Sequence, residues 1–313
     1  MHATSATISI NGAPTAASLL AIEGRTIVRS GSWLKVARIH DEVWQENPLT
    51  QPAGTVETIR TSGLGADLFT FSQLLPDITP RHAYHTSCDN LAVADTTNFT
   101  AWWDALPQES RKNVRKCQKR GVTIKPFTLD DALVRGIKGI YDETPIRQGR
   151  RFWHYGKDLA TVQRENGSYV DRAQFIGAYL GDELIGFLKM VYVGRGARIM
   201  QILSKNAHYD KHPMNALLSA AVELCAQRPV DHLIYGQYVY GNKRNSSVTE
   251  FKRRNGFQEI LLPRYYIPFT WRGSVAISSG LYRGLNELLP EPLINAALNA
   301  RNFAYKRFPR AAA

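Results

Sequence analysis

The spacing of apolar residues predicts alternating strands and helices over the C-terminal two-thirds of the chain. From Leu129 to Glu143, and again after Pro213, apolar positions recur every three or four residues, as they do along one face of a helix. Between Phe175 and Val193 two apolar runs flank Gly181-Asp182, which predicts a hairpin. The full pattern from Val122 to Phe269 predicts the order β-α-α-β-β-β-α-β-α-β, an α/β unit. The remaining elements predicted for this unit are strands at 122–127, 197–203, 231–239 and 261–269, a helix at 152–165, and a helix capped by Ser246 or Ser247 that ends at Arg254.

The pattern is weaker in the first 121 residues. Residues 1–24 are small and polar, and we expect a flexible N-terminus there. Short apolar runs separated by Pro and Gly predict strands between Arg25 and Asn98. Asn98 or Thr100 is expected to cap a short helix, and a basic helix is expected between Pro107 and Gly121. The predicted parts of the chain are 1–24 as the N-terminus, 25–121 as a first half with a basic linker helix, 122–272 as a core, and 273–313 as an amphipathic helical tail.

Composition narrows the class of protein. The chain has 313 residues, a formal net charge of +12 and a pI of about 9.7, so polyanions are attracted to its surface. Its three cysteines are widely spaced, which disfavours a disulfide scaffold and a zinc site and favours a reducing compartment. No apolar run reaches the roughly 18 residues that span a bilayer. We therefore expect a cytoplasmic protein, with peripheral contact at the inner membrane face through the C-terminal tail as an alternative.

Two motifs carry a family resemblance. The element order after Val122 and the segment Phe251-Lys252-Arg253-Arg254-Asn255-Gly256-Phe257 resemble the GNAT acyltransferase core with its F-Y-x-x-x-G-F helix end. The segment Arg111 to Val122, together with Lys211 to Leu218 and Glu250-Phe251-Lys252, resembles the Fem-type (FemAB-like) aminoacyltransferases, in which a basic segment links two GNAT-like halves. The resemblance implies a GNAT-like mixed sheet flanked by helices, with a partial first half, a complete second half and a sheet that splays near its middle.

The resemblance also implies an activity. Members of these groups move an acyl or aminoacyl group from an activated carrier to an amine acceptor by direct attack, and we expect a small-molecule or envelope-precursor acceptor. The expected carrier is acyl-CoA or another acyl carrier, with aminoacyl-tRNA as the alternative, and no metal is expected. One departure bears on the carrier: residues 204–213 contain no glycine where acetyl-CoA-dependent relatives have a glycine-rich pyrophosphate loop. The Fem-type relatives also lack that loop, so the departure fits an aminoacyl-tRNA donor better.

Four residues are candidates for the catalytic chemistry. Acyl transfer needs a base near the nucleophile and a donor for the developing oxyanion. Glu143 and His154 lie in the densest polar segment, which corresponds to the acceptor-side loop of GNAT folds by resemblance, and they are the candidate bases. Asp210 is a further base candidate, and Tyr238 is a candidate to protonate the leaving group. For each of them, a structural hydrogen bond, an ion pair or core packing is the alternative role.

A second set of residues is expected to bind substrate because it crowds cations, aromatic groups and amides into the same segments. Its members are Arg147, Gln148, Arg150, Tyr155, Lys157, Lys205, His208 and Tyr240. The alternating His208, Asp210 and His212 lack the fixed geometry of a metal site. Two alternatives to an enzyme remain open at this point: a non-catalytic binding protein on a degenerate GNAT scaffold, and a nucleic-acid-binding module.

Overall fold

The structure is a computed structural model that describes residues 3–10, 13–147, 149–241 and 246–283. The chain divides into two compact units. The first contains the described residues up to Asn90 together with those from Ile260 onward, and the second runs from Leu91 to Glu259. The N-terminal unit is therefore built from two separate stretches of chain, whereas the described residues of the second unit form one continuous stretch. The predicted boundary between 121 and 122 does not coincide with this division.

Strands dominate the first part of the chain. In order along the chain, its strands and helix are β1 (Thr4–Ile10), β2 (Ala13–Ile22), β3 (Arg25–Ser30), β4 (Val36–Ile39), α1 (Pro52–Thr61), β5 (Leu68–Ser72) and β6 (His85–Asp95). Later elements are α2 (Phe99–Ala105), α3 (Gln108–Lys119), β7 (Val122–Phe127), α4 (Asp131–Tyr141), β8 (Ile146–Arg147), β9 (Arg150–Arg151), α5 (Leu159–Asn166), β10 (Ala173–Leu180), β11 (Glu183–Val193), β12 (Gly196–Ser204), α6 (Pro213–Ala226), β13 (His232–Gln237), α7 (Ser247–Arg254), β14 (Gln258–Pro268) and α8 (Trp271–Ser278).

The first unit is a mixed sheet in the order β1-β2-β3-β4-β5-β14. Its strands are antiparallel neighbours except for β4 and β5, which pair in parallel from Val36–Leu68 to Arg38–Thr70. The α1 face and the sheet bury Ile27, Phe69 and Tyr265, among others. The N-terminal segment expected to be flexible therefore contains two strands, because the apolar Leu20 and Ile22 of β2 pack in this core.

The second unit is a mixed sheet in the order β6-β13-β12-β11-β10-β7 with helices on both faces. On one face α2, α3 and α6 cover a core that includes Ile176, Leu188 and Leu217. On the other face α4 and α5 cover Phe175 and Phe187. The central strands β10 and β11 thus bury both of their sides, which explains the near-continuous apolar runs in their sequences.

One predicted helix is wrong. The segment Phe152 to Glu165 was expected to be helical throughout, but the helix begins only at Leu159. Gly156 has a positive φ of 78°, which interrupts helical geometry, and Asp158 accepts a hydrogen bond from the Thr161 backbone as an N-cap. Residues 152–158 consequently form an irregular segment that begins after the small hairpin β8–β9.

Part of the predicted tail lies outside the described residues. Within 273–313, α8 ends at Ser278 and a short 3-10 turn follows at Leu281–Arg283. The amphipathic helix predicted beyond that turn falls on residues 284–313, outside the described part of the chain. No helix in the described part is long and apolar enough to cross a membrane.

Candidate functional site

The sheet of the second unit opens between two of its central strands. β12 and β13 pair in parallel only from Gly196–His232 to Arg198–Ile234. Both strands continue further in the same direction, β12 to Ser204 and β13 to Gln237, but the pairing does not. The C-terminal ends of these strands therefore border a gap in the sheet. This gap is the splay that the GNAT resemblance implied.

A β-bulge lies at the point where the gap opens. Gln201 pairs with Lys189 and Ile199 pairs with Met190, so Met200 is the extra residue on β12. The bulge changes which side chains face which layer. Ile199 and Ile202 both pack toward α6, whereas strict alternation from Ile199 would have placed Gln201 there. Gln201 instead reaches the α4–α5 face, next to the polar segment that follows α4.

On the β13 side of the gap lies a buried ammonium group. Lys252 of α7 is fully buried, and its Nζ donates hydrogen bonds to the Gln237 carbonyl, at the end of β13, and to the Tyr240 hydroxyl at 3.4 Å. The rings of Tyr235 and Tyr240 flank the Nζ at 4.6 and 4.5 Å from their centroids. Burial lowers the pKa of Lys252 to about 8. Among the described residues no carboxylate forms a salt bridge with it, so this cation is held by dipoles and ring faces alone.

Local sequence explains how α7 delivers this lysine. Ser246 caps the helix by accepting a hydrogen bond from the Thr249 backbone, as predicted. At the other end Gly256 has a positive φ of 77°, and Trp102 and Leu106 occupy the space that a Cβ would need. Phe257 then packs in the core as the motif predicts. The cap, the glycine and the aromatic anchor together fix the direction in which Lys252 points.

His154 is held beneath α4 in a chain of hydrogen bonds. Its ring stacks on Tyr141 at 4.2 Å, its Nε2 lies 3.0 Å from the Gln201 amide nitrogen, and its Nδ1 lies 3.4 Å from the Lys157 Nζ. Lys157 in turn donates to both carboxylate oxygens of Glu165 at 2.8 and 2.7 Å. Burial, with help from the Lys157 and Arg147 cations, lowers the pKa of His154 to about 4. The imidazole is therefore neutral at pH 7.

The same chain of contacts continues into the core. Gln201 accepts a hydrogen bond from the Tyr141 hydroxyl at 2.8 Å, and that hydroxyl lies 3.5 Å from the Asn166 amide. Lys189, which is 1% exposed, donates to the Asn166 and Ser168 carbonyls at 2.8 and 2.7 Å. Burial lowers the pKa of Lys189 to about 8. This second buried lysine holds the C-terminal end of α5, where Asn166 contacts the Tyr141 side chain that stacks on His154.

Glu143 caps the segment that follows β12. Its two carboxylate oxygens accept hydrogen bonds from the Asn206 and Ala207 backbone N–H groups at 2.7 and 2.9 Å. Arg147 lies 3.4 Å from one of those oxygens and also donates to the Ser204 carbonyl. The carboxylate thus accepts hydrogen bonds from the first two backbone N–H groups of the 3-10 turn Asn206–Lys211. These contacts define a structural role for Glu143.

The other two catalytic candidates have partners of their own. Asp210 pairs with Arg120 of α3 and with Lys211, on an exposed part of the second unit. Tyr238 packs partly buried against the core that α6 covers, and its carbonyl accepts from Thr249. The described contacts do not join either residue to His154 or Glu143. Asp210 and Tyr238 therefore belong to sets of contacts separate from those of Glu143 and His154, which share Arg147 as a neighbour.

The substrate-binding candidates divide into inward and outward groups. Arg147 and Lys157 point inward as described above, while Arg150 and Tyr155 are exposed. Lys205 and His208 both pair with Glu183, at 2.6 and 3.3 Å. Tyr240 flanks Lys252, whose Nζ donates to the carbonyl at the end of β13. Gln148 lies outside the described residues.

Sequence reasoning missed Lys252, Gln201 and Lys189 as members of the site. Lys252 stood in the motif, where a lysine replaces the usual tyrosine of the F-Y-x-x-x-G-F pattern, so this departure was the available clue. Lys189 is a lone cation in an otherwise apolar strand, which also marks it. Nothing local identifies Gln201, because its position depends on the bulge.

Comparison with known proteins gives the fold. No protein-family model and no curated protein matches the chain. The C-terminal domain assigned to a lysylphosphatidylglycerol synthetase from Agrobacterium fabrum is similar in structure, with a TM-score of 0.54 at 12% identity over 85% of this chain and 88% of that one. L-PGS from Bacillus licheniformis gives the same values. FemX gives a TM-score of 0.51 at 8% identity over 91% of each chain.

These likenesses confirm the predicted fold class, an α/β fold with a mixed sheet flanked by helices, and show that the chain shares the fold of FemX and of the two lysylphosphatidylglycerol synthetase structures. They extend over most of both chains, so the similarity is not limited to the second unit. Because no identity exceeds 12%, they define the fold alone.

Proposed function

We propose that the protein is an acyltransferase that moves an acyl or aminoacyl group from an activated carrier to an amine. The observation that carries this proposal is the buried Lys252 ammonium beside the gap between β12 and β13. A carbonyl placed in the gap would meet a desolvated cation, and a preorganised cation is most effective where negative charge develops. Attack by an amine on such a carbonyl generates an oxyanion, which is the charge that Lys252 is placed to stabilise.

In the proposed reaction the acceptor nitrogen bonds to the carbonyl carbon of the donor. The tetrahedral intermediate carries its negative charge on the former carbonyl oxygen, next to Lys252. Collapse of that intermediate breaks the bond to the carrier oxygen or sulfur, and the proton lost by the amine balances the one gained by the leaving group. No residue of the chain becomes acylated. Cys117 and Cys225 are fully buried, and burial raises the pKa of each thiol, to about 11 and about 12, which disfavours either as a nucleophile.

His154 is the proposed proton acceptor or positioning group on the acceptor side. Its imidazole is neutral at pH 7 and is fixed by Gln201, which the bulge carries to that face. Glu143 is the weaker candidate, because two backbone N–H groups and Arg147 already engage its carboxylate. We therefore expect a His154→Phe variant, which keeps a stacking ring and removes both nitrogens, to lose turnover more than Glu143→Gln does.

The proposed donor is an aminoacyl-tRNA in preference to acyl-CoA. In acetyl-CoA-dependent GNAT relatives the turn after the strand equivalent to β12 binds a pyrophosphate, by resemblance, but here Glu143 occupies the first backbone donors of that turn. A carboxylate already bound there repels a diphosphate. The outward face of α3 supplies cations instead: Lys112, Lys116 and Lys119 are exposed at intervals of three and four residues.

Turnover by Lys252 variants tests the proposal. Purified protein is incubated with labelled aminoacyl-tRNAs or acyl-CoA thioesters and a panel of amines, and amide product is measured. We expect Lys252→Met to lower kcat by about 10²- to 10³-fold, the usual cost of removing an oxyanion donor. Lys252→Arg is the control, because it keeps a cation at this position and so separates the loss of the charge from the change of the side chain.

Two outcomes would contradict the proposal. Equal turnover by the Lys252→Met and wild-type proteins would remove the oxyanion role. Ligand retention without amide formation from any donor would favour the alternative of a non-catalytic binding protein. Folded fractions are measured by circular dichroism so that a loss of turnover is not confused with a loss of structure.

A further inference from the structure

The segment from β8 to the start of α5 has two chemically different faces. Its inward side chains are Arg147, Phe152, His154 and Lys157, which contact Glu143, Tyr141 and Glu165 as described above. Its outward side chains are the exposed ones, which are interspersed with the inward side chains along the chain. They are Ile146, Arg150, Arg151, Trp153, Tyr155 and Leu159.

The outward face is unusually apolar for a connecting segment. Ile146, Trp153, Tyr155 and Leu159 are 47%, 59%, 47% and 43% exposed. A soluble protein tolerates single exposed apolar residues, but four within fourteen positions form a patch that needs an explanation. We call this set of six outward residues the 146–159 surface.

The charge on this surface is mainly positive. Arg150 and Arg151 are both exposed, and Asp158 is the one acidic residue between 144 and 159. The ring of Trp153 has the Lys157 ammonium 3.3 Å from its centroid, so one side of the indole is covered while the residue as a whole remains exposed. Tryptophan, tyrosine, leucine and isoleucine interleaved with arginine is the composition of segments that lie in the interface of an anionic membrane.

We propose that the 146–159 surface docks on an anionic lipid bilayer. Trp153, Tyr155, Ile146 and Leu159 enter the headgroup region, and Arg150 and Arg151 pair with lipid phosphates. A nucleic acid fits this face less well, because exposed aliphatic side chains gain nothing from a phosphate backbone. Among the described residues the exposed lysines of α3 provide a purely cationic surface better suited to that partner.

Docking through this face has a geometric consequence for the second unit. The inward side of the same segment holds His154, which contacts Gln201 and Lys157. Residues 146 and 159 lie within eight positions of His154 in the sequence, one on each side. A bilayer contact at 146–159 therefore brings the membrane surface to the segment that carries the proposed acceptor-side group. The binding itself does not depend on turnover, so it can be tested without a known substrate.

Vesicle co-sedimentation of the full chain tests the proposal. Wild-type protein is mixed with vesicles of phosphatidylcholine alone or with vesicles in which about a third of the lipid is phosphatidylglycerol. We expect binding to the anionic vesicles that weakens with added salt. Arg150→Gln/Arg151→Gln and Trp153→Ser/Tyr155→Ser are each expected to lower the partition coefficient by about tenfold or more.

Matched controls separate this surface from charge and exposure in general. Lys112→Gln/Lys119→Gln removes two exposed cations of the same unit, and Trp271→Ser removes an exposed tryptophan of the first unit. Both are expected to retain the wild-type partition coefficient within about twofold. Brominated lipids should also quench the fluorescence of wild-type protein more than that of Trp153→Phe, which tests insertion in folded protein with a conservative change.

Several results would overturn the inference. Failure of the wild-type chain to bind anionic vesicles would do so, as would an equal loss of binding in the Lys112→Gln/Lys119→Gln control. Self-association in solution that disappears in Trp153→Ser/Tyr155→Ser, without vesicle binding, would show that a second copy of the chain covers this face. Quenching that is identical in wild type and Trp153→Phe would place Trp153 outside the bilayer.

Discussion

Lys252 illustrates how burial gives one residue two pH-dependent properties. Its pKa is lowered from 10.5 to about 8 by desolvation. Above about pH 8 the folded protein loses this proton while the unfolded chain still holds it up to about pH 10.5, so this residue's contribution to stability rises with pH in that interval. The proposed oxyanion contact changes in the opposite direction, because only the protonated amine can supply it. Stability and turnover should therefore diverge above pH 8.

The first prediction follows from this divergence. We expect kcat of the wild-type protein to fall as pH rises through about 8, because the Lys252 ammonium is lost. Lys252→Arg should move this fall to higher pH, since guanidinium stays protonated. The measurement is the pH dependence of kcat under saturating donor, with the free energy of unfolding recorded at each pH. A basic limb that persists unchanged in Lys252→Met would assign it to another group.

The second prediction concerns the carboxylate of Glu143. Replacing it with glutamine leaves one acceptor oxygen and puts an N–H₂ group against a backbone donor, so the contacts with Asn206, Ala207 and Arg147 weaken. We expect the free energy of unfolding to fall by about 1.5–3 kcal/mol, as for hydrogen bonds to a charged group. Urea denaturation measures it.

Glu183→Gln is the control for that substitution. Among the described residues Glu183 pairs with the side chains of Lys205 and His208, and it is 46% exposed, so its loss is expected to cost about 0–1 kcal/mol. If both variants lose the same free energy of unfolding, the hydrogen bonds from the backbone to Glu143 contribute no more to stability than the exposed ion pairs of Glu183.

Among the elements, α7 depends on the glycine that ends it. Gly256→Ala forces an L-residue into a positive φ and pushes a methyl group toward Trp102 and Leu106. We expect a loss of stability greater than the about 1–2 kcal/mol that the left-handed conformation alone costs. Thermal and urea denaturation measure this loss.

Gly181→Ala separates the two causes. Gly181 also has a positive φ, 59°, but nothing lies within 4 Å of the position its Cβ would take. Its alanine variant should therefore show the conformational cost alone. Equal losses for the two variants would mean that the second unit accommodates the methyl group near Trp102 without strain.

Elements with local signals were predictable from the sequence, and the site was largely not. The caps Asn98 and Ser246 and the hairpin at Gly181-Asp182 are encoded by residues within a few positions of each other. The helix predicted from Phe152 was wrong, although a glycine at 156 and an aspartate at 158 are typical of a helix interruption followed by a new N-cap. These signals were present but were outweighed by the apolar spacing.

The placement of side chains around His154 needed long-range information. Gln201 faces His154 only because Met200 is bulged, and the bulge is set by the register between β11 and β12. The ring of partners around Lys252 likewise combines residues of β13, α7 and the segment between them. A linear pattern does not specify such a register. Sequence alone therefore groups residues that are close along the chain, and these are not the residues that lie close in space.

At the scale of the whole molecule, the first unit depends on the far end of the chain. β14 pairs with β5 from Arg264–Ser72 to Pro268–Leu68, and Tyr265 and Ile267 belong to the first unit's core. We predict that a chain ending at Glu259 loses hydrogen-exchange protection in β2, β3 and β5, while β10, β11 and α6 remain protected. Exchange measured by mass spectrometry tests this.

A chain lacking only residues 284–313 serves as the control, since it retains β14. It is expected to keep the exchange protection of both units among the residues the structure describes. Uniform loss of protection throughout the chain ending at Glu259 would mean that the two units fold only together.

The separated halves of the first unit have a consequence during synthesis. A ribosome delivers residues 1–90 first, yet β14, which completes their sheet, emerges only after residues 91–257 have been made. The continuous stretch from Leu91 to Glu259 can close while that strand is still being made, which reverses the usual N-to-C order of domain folding. Nascent chains would pass through an interval in which β5 has an unpaired edge, so translation speed and chaperone access while residues 258–268 are made should govern the yield of this protein.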